Sequence, residues 1–122
     1  MANIIGILEE VCNLGEIIVI VRAKGAIAEV MGDLTLRRGE EWLTLGQEGA
    51  SHVHVKVAEI QGVRFTHDQG RNAALQILGA DGSPIAQVSF RGTNPARAEA
   101  FSSERLEAVR ARFAHLAEVA AR

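Results

Sequence analysis

The sequence predicts an α+β fold: a large antiparallel β-sheet with an N-terminal helix and C-terminal helices packed on one face. Three observations predict it. Apolar residues recur at helical spacing at both ends of the chain. Between them run β-branched or strictly alternating segments, cut by glycine turns. Late in that stretch, Asp81-Gly82 separates two apolar runs as a tight hairpin turn would.

The elements follow in order. Residues 3–14 place Ile4, Ile7, Leu8, Val11 and Leu14 on one helical face, and Gly15 is a natural stop. Residues 16–23 (EIIVIVRA) are apolar on both faces, as a central strand is. Gly25 turns the chain into a strand over 26–31, and Gly32-Asp33 turns it again. Residues 34–37 and 42–45 make shorter strands. Residues 51–57 (SHVHVKV) alternate: Val53, Val55 and Val57 point one way, His52, His54 and Lys56 the other. The next strand spans 60–66. With Ala58-Glu59 as a two-residue turn, His54 stands opposite Val63 and His52 opposite Phe65.

Pairing outward from Asp81-Gly82 as a type I′ turn joins a strand over 72–79 to one over 84–91. It sets Leu78 opposite Ile85, Ile77 opposite Ala86, Leu75 opposite Val88 and Ala73 opposite Phe90. Leu75, Ile77, Val88 and Phe90 then share one face, Gln76 and Gln87 the other. Asn94-Pro95 marks the start of one helical piece. Ser102 or Ser103 caps a longer one, with Glu104 in its first turn. Its apolar stripe of Leu106, Val109, Phe113, Leu116 and Ala120 needs a partner surface, and the hairpin's apolar face supplies one.

At 122 residues, with 48% apolar and 23% charged side chains, the chain is the size of one domain over 1–122. A formal charge of −2 argues against general nucleic-acid binding, which needs clustered basic charge. Glu9 and Glu10 interrupt the N-terminal apolar run, so no signal peptide is expected. The longest apolar run, 17–21, is strand-sized, so no membrane insertion is expected. Cys12 is the lone cysteine and cannot form an intrachain disulfide. A cytoplasmic, reducing location fits.

Motifs for catalysis are missing: there is no nucleophile elbow, phosphate loop, dinucleotide fingerprint or His-Glu-x-x-His. The candidate chemistry is histidine. His-x-His on a strand puts His52 and His54 on one face, roughly 6.5–7 Å apart at Cα. The pair can bind a metal such as zinc if a third ligand arrives, with His67 or Asp68 as possible suppliers. The plainer reading is two polar positions on the solvated side of a sheet. Cys12 reads as a buried small hydrophobe, and His115 falls off the last helix's apolar stripe. Arg91, Arg97, Arg105, Arg110 and Arg112 alternate with glutamates and read as solvated helix faces.

Four stretches, taken in order, are 14–21 (LGEIIVIV), 28–34 (AEVMGDL), 49–56 (GASHVHVK) and the hairpin from 74 (ALQILGADG) through Arg91. Together they resemble the intracellular haem-utilisation proteins of the ChuX/HutX type, and one half-repeat of the related HemS/ChuS proteins. The likeness covers roughly residues 13–113. It implies a large antiparallel sheet with flanking helices, and binding and carriage of haem without chemistry. It sets His54 at the position of a family histidine implicated in haem binding. His52 is a second candidate for the iron, Lys56 a partner for the propionates, and Val63 with Phe65 an apolar platform for the porphyrin. It also implies a homodimer. One departure stands out: where relatives often carry a second histidine, this chain reads Arg37-Arg38-Gly39-Glu40-Glu41-Trp42. The alternatives to a haem carrier are an interaction module that kept the fold and lost the ligand, a His-x-His zinc protein, and an enzyme of haem degradation.

Overall fold

The structure is a computed structural model and describes residues 1–47, 49–67, 73–97, 100–116 and 118–121. Its elements are α1 (Ala2–Leu14), β1 (Ile17–Ala23), β2 (Ala26–Gly32), β3 (Thr35–Arg38), β4 (Trp42–Gly46), β5 (His52–Lys56), β6 (Gly62–Thr66), β7 (Ala74–Leu78), β8 (Pro84–Phe90), α2 (Ser103–Phe113) and β9 (Val119–Ala120). The strands divide into two antiparallel sheets. One has six strands in the order β2-β1-β8-β7-β6-β9, and the other has three in the order β3-β4-β5. The α+β architecture expected from the sequence is present, with its strands split between the two sheets.

Helix α1 buries Ile4, Leu8 and Val11. It stops at Gly15, which takes a φ of 72° that glycine adopts without strain and whose N–H bonds the Cys12 carbonyl. Glu16 follows at φ 48°, an unusual conformation for a residue with a side chain. Asp33 holds it there by accepting the Glu16 N–H through Oδ1 at 2.9 Å. Strand β1 then runs between β2 and β8, pairing Val19 with both Val30 and Val88.

The β7–β8 hairpin keeps the expected register over most of its length. Leu75 pairs with Val88, Gln76 with Gln87, and Ile77 with Ala86. Its turn differs. Gly82 has φ 79°, but Asp81 keeps a negative φ, so the type I′ geometry is not formed. Instead the Gly82 N–H bonds the Gly79 carbonyl, and the Asp81 carboxylate accepts the Ser83 N–H. This longer loop introduces a bulge, and Leu78 pairs with Pro84 instead of Ile85. Asn72, the expected start of this hairpin, lies outside the described residues.

The middle of the chain also departs from the expected pairing. Residues Val57–Glu59 form a turn of 3₁₀ helix, not a two-residue hairpin turn. Ala58-Glu59 offers no residue suited to the positive φ that such a hairpin needs. Strand β5 therefore turns back on β4, while β6 enters the other sheet beside β7. Val63 pairs with Ile77 and Phe65 with Leu75, and both are buried in the core. Neither stands opposite His54 or His52.

The C-terminal half of the expected helical region is shorter than predicted. Asn94 accepts the Ala96 N–H as a cap would, but a turn follows, with no helix among the described residues of 94–102. Ser102 does cap α2, accepting the Arg105 N–H at 3.2 Å, with Glu104 in the first turn. Leu106, Val109 and Phe113 are buried. The helix ends at Phe113 because the chain is drawn onto the edge of β6: the Leu116 carbonyl accepts the Phe65 N–H at 2.8 Å. Ala120 thus lies in β9, opposite Gly62, not on the helix stripe.

The stripe finds its expected partner. Phe113 stacks on Phe90 at 5.7 Å between ring centroids and lies 6.0 Å from Phe65. Leu34, just before β3, and Leu43, Leu45 and Val55 from the three-stranded sheet join the same buried cluster. Arg105 is not a solvated side chain. It is half-buried and donates to the carbonyls of Arg91, Gly15 and Glu16, tying α2 to the turn before β1. Arg112 bonds Glu10 at 2.6 Å, linking the two helices across exposed surface.

Candidate functional site

The outer face of the three-stranded sheet carries the histidines. Alternation on β5 turns Val55 into the core and leaves His52, His54 and Lys56 exposed. The register fixes their neighbours in rows. Thr35, Gly46 and His52 form one row; Arg37, Thr44 and His54 form the next; Trp42 stands opposite Lys56 in the third.

The two imidazoles touch edge to face, with centroids 4.7 Å apart. Trp42, 44% exposed, lies 6.2 Å from His54, so three aromatic rings form a ridge on an open surface. Lys56 sits 6.0 Å from the Trp42 ring centre and 3.9 Å from the Glu41 carboxylate. Both ends of that ion pair are exposed, so it contributes little to stability.

The ring nitrogens have different partners. Nδ1 of His52 lies 2.8 Å from the Ala50 carbonyl oxygen. A carbonyl only accepts, so Nδ1 carries the hydrogen and Nε2 of the neutral ring keeps its lone pair. Nδ1 of His54 lies 2.8 Å from Thr44 Oγ1. A hydroxyl both donates and accepts, so either tautomer of His54 is satisfied.

A cleft of about 130 Å³ opens beside His52, lined by Thr35, Arg37, Thr44, Gly46, Gln47, Gly49 and His52. It exists because Gly46, opposite His52, has no side chain to fill the space. Arg37, Trp42, Thr44 and Gly46 were not singled out from the sequence. Alternation over residues 42–46 places Trp42, Thr44 and Gly46 on one face, but nothing local tells which face meets the histidines. That required the β4–β5 pairing.

The other expected metal donors are elsewhere. His67 is exposed just past β6, 5.3 Å from Phe65 in the six-stranded sheet, and Asp68 lies outside the described residues. Among the described residues no group of three or more histidine, cysteine or carboxylate side chains forms a metal site. His115 is exposed.

Cys12 is half-buried against the core, and burial pushes its thiol up to about 11, with Glu9 adding to the effect. The thiolate is the reactive form, so Cys12 is expected to alkylate slowly with iodoacetamide at pH 8 and quickly after unfolding in urea. Equal rates in the two states would contradict this placement.

A second concave surface lies on the outer face of the six-stranded sheet. This groove of about 450 Å³ includes Ile18, Ile20, Met31, Arg22, Arg91 and Arg97 in its lining, and no histidine. Along the same face Ile27 and Met31 stand 61% and 52% exposed.

Comparison with known proteins adds the following. A protein-family model matches residues 6–119, nearly the whole chain. No curated protein matches it. Among solved structures, a heme-binding protein named ChuX superposes with a TM-score of 0.66 at 19% identity, covering 91% of this chain and 70% of ChuX. A further ChuX structure gives 0.71 at 18% identity, covering 94% and 72%. A protein from Erwinia carotovora gives 0.62 at 20% identity, covering 86% and 66%. At these identities the likeness establishes the fold. Among the described residues no helix is long and apolar enough to cross a membrane.

Proposed function

We propose, from a family-model match over residues 6–119 and a fold shared with the ChuX structures, that the chain is a ChuX-like protein that binds haem on the outer face of the three-stranded sheet and carries it without chemistry. The observation that carries this reading is the pair of exposed imidazoles 4.7 Å apart, one with a lone pair held ready at Nε2. Neutral imidazole whose other nitrogen donates to a carbonyl is the usual form of a metal-binding histidine. Trp42 takes the part of apolar wall that Val63 and Phe65, buried in the core, do not offer. Arg37 flanks the ridge on the side away from Lys56 and suits a carboxylate of the ligand's edge.

The residues fit the group as an open site. The cleft of about 130 Å³ is smaller than the roughly 300–1,000 Å³ of pockets that enclose a drug-sized ligand. A porphyrin would lie against the face with much of its surface free. That suits hand-over to another protein more than retention for a reaction. The setting we propose is the cytoplasm.

Titration of the purified protein with hemin tests the reading. The expected result is a saturable Soret shift with parallel quenching of Trp42, the sole tryptophan, lost when both His52 and His54 become alanine. No saturation in the wild type, beside a control protein without haem function, would overturn it.

We propose a second copy of the chain as partner for the outer face of the six-stranded sheet. The exposed Ile27 and Met31 support this, since apolar side chains grouped on one sheet face favour burial. Sedimentation is expected to show a dimer for the wild type and a monomer for the Met31→Glu, Ile27→Glu variant. A wild-type monomer at all concentrations would sink the idea.

A further inference from the structure

We infer that His52, not His54, gives the nitrogen that ligates iron, and that Arg37, not Lys56, meets the ligand's carboxylate, so that the ligand is anchored at the cleft over Gly46. This rests on the haem reading above and departs from what the family resemblance assigns to His54 and Lys56. Three independent observations carry it.

The first is proton placement. The Ala50 carbonyl fixes the hydrogen of neutral His52 on Nδ1 and leaves Nε2 a lone pair. Thr44 imposes no such choice on His54. A ligand-ready nitrogen that is already oriented loses less freedom on binding. The second is position. His52 lines the cleft and His54 does not, although both are exposed. The missing side chain at Gly46 clears space beside the His52 ring. The third is charge. Lys56 lies 3.9 Å from Glu41, whereas Arg37 lines the cleft with no ion pair among the described residues. Its planar guanidinium can hold a carboxylate with two hydrogen bonds, which an ammonium cannot. On this reading His54 is a positioning residue: its ring packs against His52 at 4.7 Å and limits where that imidazole turns.

Two measurements test this. Long-range ¹H–¹⁵N NMR of the ligand-free protein, at a pH where the imidazoles are neutral, is expected to show His52 protonated at Nδ1. A His52 ring protonated at Nε2 would overturn the inference whether or not hemin binds. Hemin titration then separates the residues. His52→Ala is expected to lose the shifted Soret band, and Arg37→Gln to weaken affinity about tenfold. Lys56→Gln is expected to bind as the wild type does. His54→Ala is expected to keep the ligated spectrum with weaker affinity. Saturable wild-type binding with the ligated band lost only in His54→Ala would overturn the inference and leave the haem reading standing. No saturable binding by the wild type would overturn both.

Discussion

Replacing Phe113 by alanine is expected to cost about 3–5 kcal/mol, the range for a fully buried aromatic truncated in a packed core. Phe113 is fully buried, stacks on Phe90 with ring planes 19° apart, and touches Phe65. It is thus the point where α2 meets both β8 and β6. The chain beyond it cannot close over the gap, because Leu116 is already held by the Phe65 N–H and Val119 by strand β6. For a chain of this size the loss corresponds to a fall in Tm of roughly 10–25 °C. Phe113→Leu is expected to recover about half of it. Phe101, the exposed phenylalanine two residues before α2, serves as comparison: Phe101→Ala is expected to change stability by less than about 0.5 kcal/mol. A melt of Phe113→Ala within a few degrees of the wild type would show that α2 does not organise this core.

Phe113 also shows what was legible in the sequence. Its spacing from Leu106 and Val109 sets one helical face, and the hairpin's alternation sets one sheet face. Each needs burial, so their meeting follows from local pattern alone. The β7–β8 register was readable for the same reason: one pairing satisfies both the turn glycine and the apolar face. Where these constraints part, reading failed. Ala58-Glu59 carries no turn signal, and β5 has an apolar face that fits either β4 or β6 equally well. The true partner is set by residues distant in the chain: the core already holds Val63 and Phe65 through β7, which leaves β5 to β4. The histidine strand was therefore visible, with His52 and His54 outward, while its neighbours were not. Arg37, Thr44 and Trp42 became neighbours only through pairing across three strands. Arg105 escaped for another reason. Its partners are backbone carbonyls, which leave no mark in a sequence pattern.

Gly46→Ala is expected to destabilise the protein and remove the candidate site together. A Cβ at Gly46 would lie 2.5 Å from the His52 Cα and 2.6 Å from the Ser51 carbonyl oxygen. These are backbone atoms, so no rotamer change relieves the contact. Strand β5 must move, and with it the bond from the Gln47 N–H to the Ser51 carbonyl at 3.1 Å. Overpacking of this kind costs about 1–3 kcal/mol, and rigid backbone on both sides places the cost at the upper end. Gly6→Ala is the control for glycine replacement as such. It sits inside α1 with nothing within 4 Å of an added Cβ, and is expected to stabilise by about 0.5–1 kcal/mol. The functional consequence has the same origin. The methyl group would fill the floor of the cleft and displace the backbone that carries His52. Below its melting temperature, folded Gly46→Ala is therefore expected to bind hemin as weakly as His52→Ala does. Adding His52→Ala to Gly46→Ala should not restore the stability, because the clash is with atoms every residue at position 52 retains. Recovery in that double variant would place the strain in the imidazole instead. The cleft would then owe its shape to the side chain, and the glycine would be incidental to the site.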